Sequence, residues 1–263
     1  MDIRTGFQLT RRGLWRFAPL ALPFVSKAHA AETLPVMDSF PSHPPDMVRE
    51  VVAVSHGNIK RVKELVDARP SLSKAAVDWG FGDWEDALGA ASHVGNREIA
   101  EYLIGKGARP TLFSATMLGQ LDTVKAFLAA QPGVQRIAGP HSISLLAHAK
   151  AGGKQAEAVY QYLDGLGDAG AAKTAPISAS ELAALTGTYI FGSGATDQVE
   201  ISEKNGILIF TRLGKSARNL IHAGELTFHP VGTATAKVHF SGAGENATLT
   251  VEDPDLILTA RRK

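Results

Sequence analysis

Leu88 to Pro110, LGAASHVGNREIAEYLIGKGARP, reads as a two-helix unit. A short helix carries Ala90 and Ala91, a turn falls at Gly95-Asn96, a second helix carries Ile99, Leu103 and Ile104, and Gly107-Ala108 forms the exit. Glycine supplies the positive φ needed to leave one helix and enter the next, and paired alanines let helices approach closely. Such a unit is too thin to bury its own apolar face, so it needs neighbours of the same kind on both sides.

Those neighbours can be found by working outward. Upstream, Val51 to Asn58 followed by Ile59, Val62, Leu65 and Val66 repeats the pattern, with Gly57 matching Gly95 and Leu65-Val66 matching Leu103-Ile104. Downstream, Gly119-Gln120 precedes Val124, Phe127 and Leu128, and a looser unit runs from Leu145 through Gly152-Gly153 to Val159, Tyr162 and Leu163. These units resemble ankyrin repeats, on the AAxxxGN turn at Ala90 to Asn96, the EIAEYLI helix and the GARP exit at Gly107 to Pro110. The usual period is about 33 residues. Here the glycines at 57, 95, 119 and 153 are 38, 24 and 34 apart, which implies an enlarged hairpin finger at Asp78 to Asp86 and a shortened one near Pro110 to Phe113.

After Gly165 to Pro176, a breaker-rich linker, the apolar period changes to two. Eight short segments follow, around Tyr189, Val199, Leu208, Leu220, Phe228, Val238, Leu249 and Ile257, separated by turn chemistry such as Asn205-Gly206 and Gly242-Ala243-Gly244. Eight antiparallel strands of this length predict a small barrel or strongly coiled sheet. Leu182 to Tyr189, an LxxLxGxY start, is similar to the opening of the lipocalin-like C-terminal domain appended to beta-lactamase-related serine hydrolases, and Gly224 to Phe228 and Thr259 to Arg262 fit the same domain. The expected class is therefore α+β multidomain: an ankyrin-like α-solenoid over 46–168, a linker over 169–177, and an eight-stranded antiparallel β-barrel over 178–263.

Residues 1–30 order as a bacterial export signal. Thr10-Arg11-Arg12 precedes a short apolar run from Phe17 to Val25 and an Ala28-His29-Ala30 cleavage site. The arginine pair resembles a twin-arginine signal. A Pro-rich lead-in, 31–45, follows, and a periplasmic location is implied. The formal charge of +1 becomes about −3 once the signal is removed, so nothing marks a nucleic-acid surface. No later apolar stretch is long enough to span a membrane. With no cysteine, disulfides, thiolate nucleophiles and thiolate-bound zinc are excluded.

Gly165 to Gly170 spells GxGxxG, but a helix precedes it and a linker follows, the wrong context for a dinucleotide site. Ser71 to Lys74 spells SxxK in a connector with no hydrolase core around it. Among nine histidines, His93, His141 and His148 fall where stacking would bring them to one face, near Asp83, Glu85 and Asp86. No HxxxH or HExxH spacing accompanies them, so the expectation is that they bond backbone carbonyls at repeat turns, with no metal and no cofactor. The finger, with Trp79, Phe81 and Trp84 among glycines and acids, has hot-spot composition. The sequence therefore predicts a non-enzymatic interaction module holding a protein partner through Trp79, Phe81, Asp83, Trp84, Glu85, Asp86, His93 and His141, with the barrel as a second docking or oligomerisation element. The alternative is a carrier or sensor of a small apolar ligand in the barrel.

Overall fold

The computed structural model describes residues 38–170, 174–242, 244–254 and 256–263; the expected export signal lies outside them. The first helices form two pairs joined by a hairpin. They are α1 (Pro45–Val54), α2 (Ile59–Ala68), the strands β1 (Ala76–Asp78) and β2 (Trp84–Asp86), then α3 (Ala87–His93) and α4 (Arg97–Gly105). Two further pairs follow: α5 (Leu112–Met117) with α6 (Leu121–Ala130), and α7 (Leu145–Ala151) with α8 (Glu157–Leu166). Caps set the helix starts: Asn58 and Asn96 accept from the Arg61 and Ile99 N–H groups, Asp86 from Gly89, and Thr111 and Ser144 from Ser114 and Ala147.

The alanine-rich inner helices α3, α5 and α7 pack on one another, and the turn glycines allow that approach. Gly95 (φ +76°) and Gly119 (φ +75°) sit so tightly that a Cβ would lie 2.1 Å from the Ala151 carbonyl oxygen and 2.0 Å from that of Gln155. Two apolar clusters result, one centred on Val52, Leu88, Ile99 and Leu103 and the other on Val124, Leu145, Val159 and Leu163.

A short helix α9 (Ala179–Leu185), closed by a Ser178–Glu181 capping box, leads into the barrel. Its strands are β3 (Gly187–Ile190), β4 (Gln198–Lys204), β5 (Ile207–Thr211), β6 (Arg218–Gly224), β7 (Thr227–Pro230), β8 (Lys237–Ser241), β9 (Thr248–Asp253) and β10 (Leu256–Arg262). Each pairs antiparallel with the next, and β10 closes on β3. The eight strands and the closed barrel expected from the period-two pattern are present. Asn205 and Gly206 (φ +55° and +79°) supply the tight β4–β5 turn that their identities predict. The barrel interior is filled: Tyr189, Phe228 and Phe240 are buried and meet edge to face at 5.8 and 5.6 Å. No helix among the described residues is long and apolar enough to cross a membrane.

The enlarged finger is also present, and it bridges the helices and the barrel. Gly80, Phe81 and Gly82 all have positive φ, a tip conformation that turns the Phe81 ring onto Phe210 of β5 at 5.5 Å, edge to face. The prediction here is that Gly119→Ala costs at least about 2 kcal/mol in chemical denaturation, because a left-handed backbone and a backbone clash both resist the added Cβ.

Candidate metal centre

Antiparallel alternation decides which finger residues face inward. Val77 pairs with Glu85 and Asp78 with Trp84, so Glu85 is wholly buried while Trp84 is 63% exposed. Asp86 caps α3 through the Gly89 N–H at 2.5 Å. Of the eight finger and histidine positions singled out in the sequence, Asp83, Glu85, His93 and His141 come together; Phe81 packs into the barrel mouth, and Trp84 faces solvent.

Glu85 Oε1 is the centre of the group. The Nε2 atoms of His93, His141 and His56 lie 2.9, 3.3 and 3.6 Å from it, and His93 Nε2 lies 3.1 Å from His56 Nε2. All four atoms fall within 4.8 Å of one another. The outer sides of Glu85, His56 and His141 are held in place. Glu85 Oε2 accepts from the Trp79 indole N–H at 2.8 Å, His56 Nδ1 donates to the Ala53 carbonyl at 3.0 Å, and His141 Nδ1 donates to Asp83 Oδ2 at 2.7 Å. A neutral imidazole that donates through Nδ1 presents the lone pair of Nε2. Fixing Nδ1 therefore aims lone pairs of His56 and His141 at a buried carboxylate oxygen, and Oε1 itself has no hydrogen-bond partner. Lone pairs converging on an anion call for a cation or protons between them. The two helix ends add to this field: His93 is the last residue of α3 and His56 lies just beyond α1, where the helix dipole is negative.

The His141 turn is built for the role. His141 and Ser142 both have positive φ, 59° and 57°, a strained choice for such residues. Asp83 holds the turn with both oxygens, accepting the His141 N–H at 2.8 Å through Oδ1 and the ring through Oδ2. Ser142 Oγ accepts from the Gly232 N–H at 2.8 Å. Asp83 also takes a charged hydrogen bond from Arg218 of β6, whose Nη2 donates in addition to the Val231 carbonyl.

Without a metal the group holds its charge by protonation. The hydrogen bond to Asp83, and then the facing Glu85 carboxylate, push His141 up to about 9. Burial alone would raise Glu85, but the His141 and His93 imidazoles facing Oε1 outweigh it and hold that carboxyl at about 2. Asp83 is likewise lowered, burial being overcome by its bonds from His141 and Arg218.

Two sequence expectations change. His148 stands apart from the group: it is buried, its Nδ1 bonds the Ser144 carbonyl at 2.9 Å, its ring lies 4.9 Å from Phe113, and burial lowers it to about 4. That is the carbonyl-bonding role expected of all three histidines, and only this one takes it alone. His56, which is not among the three histidines that stacking would bring to one face, joins instead. A weak signal for it existed, since Ser55-His56-Gly57-Asn58 and His93-Val94-Gly95-Asn96 put a histidine one or two residues before the Gly-Asn turn of successive units.

A raised folded-state pKa means that the folded protein holds the proton more tightly. The stability His141 contributes to metal-free protein is therefore complete below its unfolded value of about 6.5 and is lost as pH rises through about 9. Denaturant titrations at about pH 6 and about pH 9.5 should show the wild type losing on the order of 2 kcal/mol more than His141→Gln over that interval.

Compared with protein-family models, with curated proteins and with solved structures, the chain matches none.

Proposed function

We propose that this chain is a metal-binding protein that holds one divalent first-row transition ion, zinc foremost, through Nε2 of His56, His93 and His141 and Oε1 of Glu85. The observation that carries the proposal is the spacing of the donor atoms. Four ligands at 2.0–2.1 Å around a tetrahedral ion must stand about 3.3–3.4 Å from one another; the three separations to Glu85 Oε1 and that between His56 and His93 run from 2.9 to 3.6 Å, and the whole set lies within 4.8 Å. Three imidazoles with one carboxylate suit zinc and its neighbours and do not suit calcium or magnesium, which prefer oxygen. Asp83 behind His141 is the carboxylate–histidine arrangement that fixes ring orientation and raises ligand basicity.

All four corners come from the protein, which fits an ion that is held or sensed better than one that needs a vacant position for catalysis. The non-enzymatic expectation is kept on that ground. The ligands come from the first helix pair, the finger, α3 and the turn before α7, so the ion would lock these elements together. The helix pairs are read as an ankyrin-like stack, supported by the hairpin and by the tight glycine turns at Gly95 and Gly119. The barrel is read as lipocalin-like, supported by its opening helix and strand and by its closure, and the residue 1–30 pattern supports periplasmic placement. A second reading, capture of a protein partner, is favoured by one observation: Trp84 is a largely exposed tryptophan on an ordered strand. Loss of a periplasmic partner from the Trp84→Ala protein would support it.

Elemental analysis of the purified chain should find about one zinc per molecule, and EDTA-treated protein should regain it in calorimetric titration. Glu85→Gln and His93→Ala should each weaken binding by about 100-fold, and Asp83→Asn, which touches no metal, by about 10-fold. Zinc should raise the melting temperature of the wild type and leave that of His93→Ala unchanged. A chain that takes up no zinc, or variants that bind as the wild type does, would sink the reading.

A further inference from the structure

A cavity of about 780 Å³ opens where the finger tip meets one end of the barrel. Its inner wall is apolar, with Phe81 of the finger beside Phe210, Val251 and Leu258 of the barrel. Its rim is cationic. Arg49 of α1, Arg212 and Lys215 of the β5–β6 connection and Arg218 of β6 line it, against a single lining carboxylate, Asp78, whose Oδ1 already accepts the Gly80 N–H at 2.7 Å.

These cations have little to neutralise them. Of the four, only Arg218 has an ion-pair partner among the described residues, Asp83. Arg49 rests 4.5 Å over the Trp79 ring and bonds the Ser216 hydroxyl at 2.7 Å, and Arg212 rests 5.2 Å from the Phe191 ring. Guanidinium groups laid on aromatic faces keep their donors available for a carboxylate or phosphate oxygen. Arg218 is 7% exposed and its buried Nε has no hydrogen-bond partner, so one of its donors is left without an acceptor. Within the barrel, Tyr189, Phe228 and Phe240 pack against one another.

We infer that this cavity binds a small amphiphilic carboxylate, with its acyl or aryl body against Phe81 and Phe210 and its carboxylate among Arg212, Lys215 and Arg218. The volume is within the roughly 300–1,000 Å³ typical of small-molecule sites, and an apolar wall with a few convergent charges is their usual composition. A neutral analogue would gain the apolar contact and leave the cations unmatched. A cationic one would be repelled. None of the four proposed metal ligands lines the cavity, so the inference does not depend on the metal reading.

Calorimetric titration of the full chain, dialysed against EDTA so that metal plays no part, tests this with octanoate, 1-octanol and octylammonium. Octanoate should bind with a dissociation constant below about 1 mM, octanol at least about 10-fold more weakly, and octylammonium not measurably. Arg212 and Lys215 are exposed, so the Arg212→Gln/Lys215→Gln protein should fold normally. It should bind octanoate about 10-fold more weakly than the wild type while binding octanol unchanged. Equal affinity for octanoate and octanol, no octanoate binding, or undiminished octanoate binding by the double variant would overturn the inference.

Discussion

The Asp83 carboxylate is the interaction on which the rest of this structure depends. It is 1% exposed, and a carboxylate taken out of water costs several kcal/mol unless its oxygens are matched. Here both are matched, by the backbone and ring of His141 on one side and by Arg218 on the other. One side chain on the finger thus holds a turn of the helical part and a strand of the barrel. Glycine at 232 is required for the fit, since a Cβ there would fall 2.1 Å from the Asp83 Cγ. Replacing either partner would strand a buried charge, the most damaging way to break such a pair.

The finger therefore acts as a joint and not as a free arm. Its tip adds Phe81 to the apolar cluster of the barrel, while Val77 and Trp79 belong to that of the first two helix pairs. Apolar contact brings the two halves together without direction; the Asp83 contacts supply register. That division explains how a chain with no disulfide keeps a buried polar cluster in a defined arrangement, because every outer hydrogen bond that orients the inner atoms is made to an element already fixed by packing.

Sequence reasoning was most successful where the pattern was periodic and local. Strand alternation placed all eight barrel strands, and the turn glycines with the apolar residues that follow them placed the helix pairs, because burial acts on each segment through its own spacing. The finger was legible as an enlarged insertion, since the glycine interval measured it. What escaped was its direction. Trp79, Phe81, Asp83 and Glu85 have the composition of an exposed hot spot, but strand pairing turns Glu85 inward and the tip conformation at Gly80 to Gly82 turns Phe81 onto the barrel. The histidine group was hidden for a related reason. Its members come from positions 56, 85, 93 and 141, brought together by the packing of helix ends, and no spacing rule covers ligands drawn from four elements. His148, by contrast, looked equivalent to His141 in the stack but is separated from it by the left-handed turn at 141–142 and lies against Phe113.

Trp79 shows how closely the two candidate sites are built into one another. Its indole N–H fixes Glu85 Oε2, which leaves Oε1 facing the imidazoles, and its ring carries Arg49 at the rim of the cavity. Arg218 has the same double position, bonded to Asp83 behind His141 and standing on the cavity wall. An anion drawn to Arg218 competes with Asp83 for the guanidinium, and any loosening of that pair leaves Asp83 a stronger acceptor for His141. Any coupling between the two proposed sites would be a free energy shared between two equilibria and would act equally in both directions. The chain of contacts Arg218–Asp83–His141–Glu85 is short and largely buried, with charge-assisted hydrogen bonds at its first two links and a 3.3 Å contact at the third, the kind of connection through which such coupling could be carried without movement of the backbone.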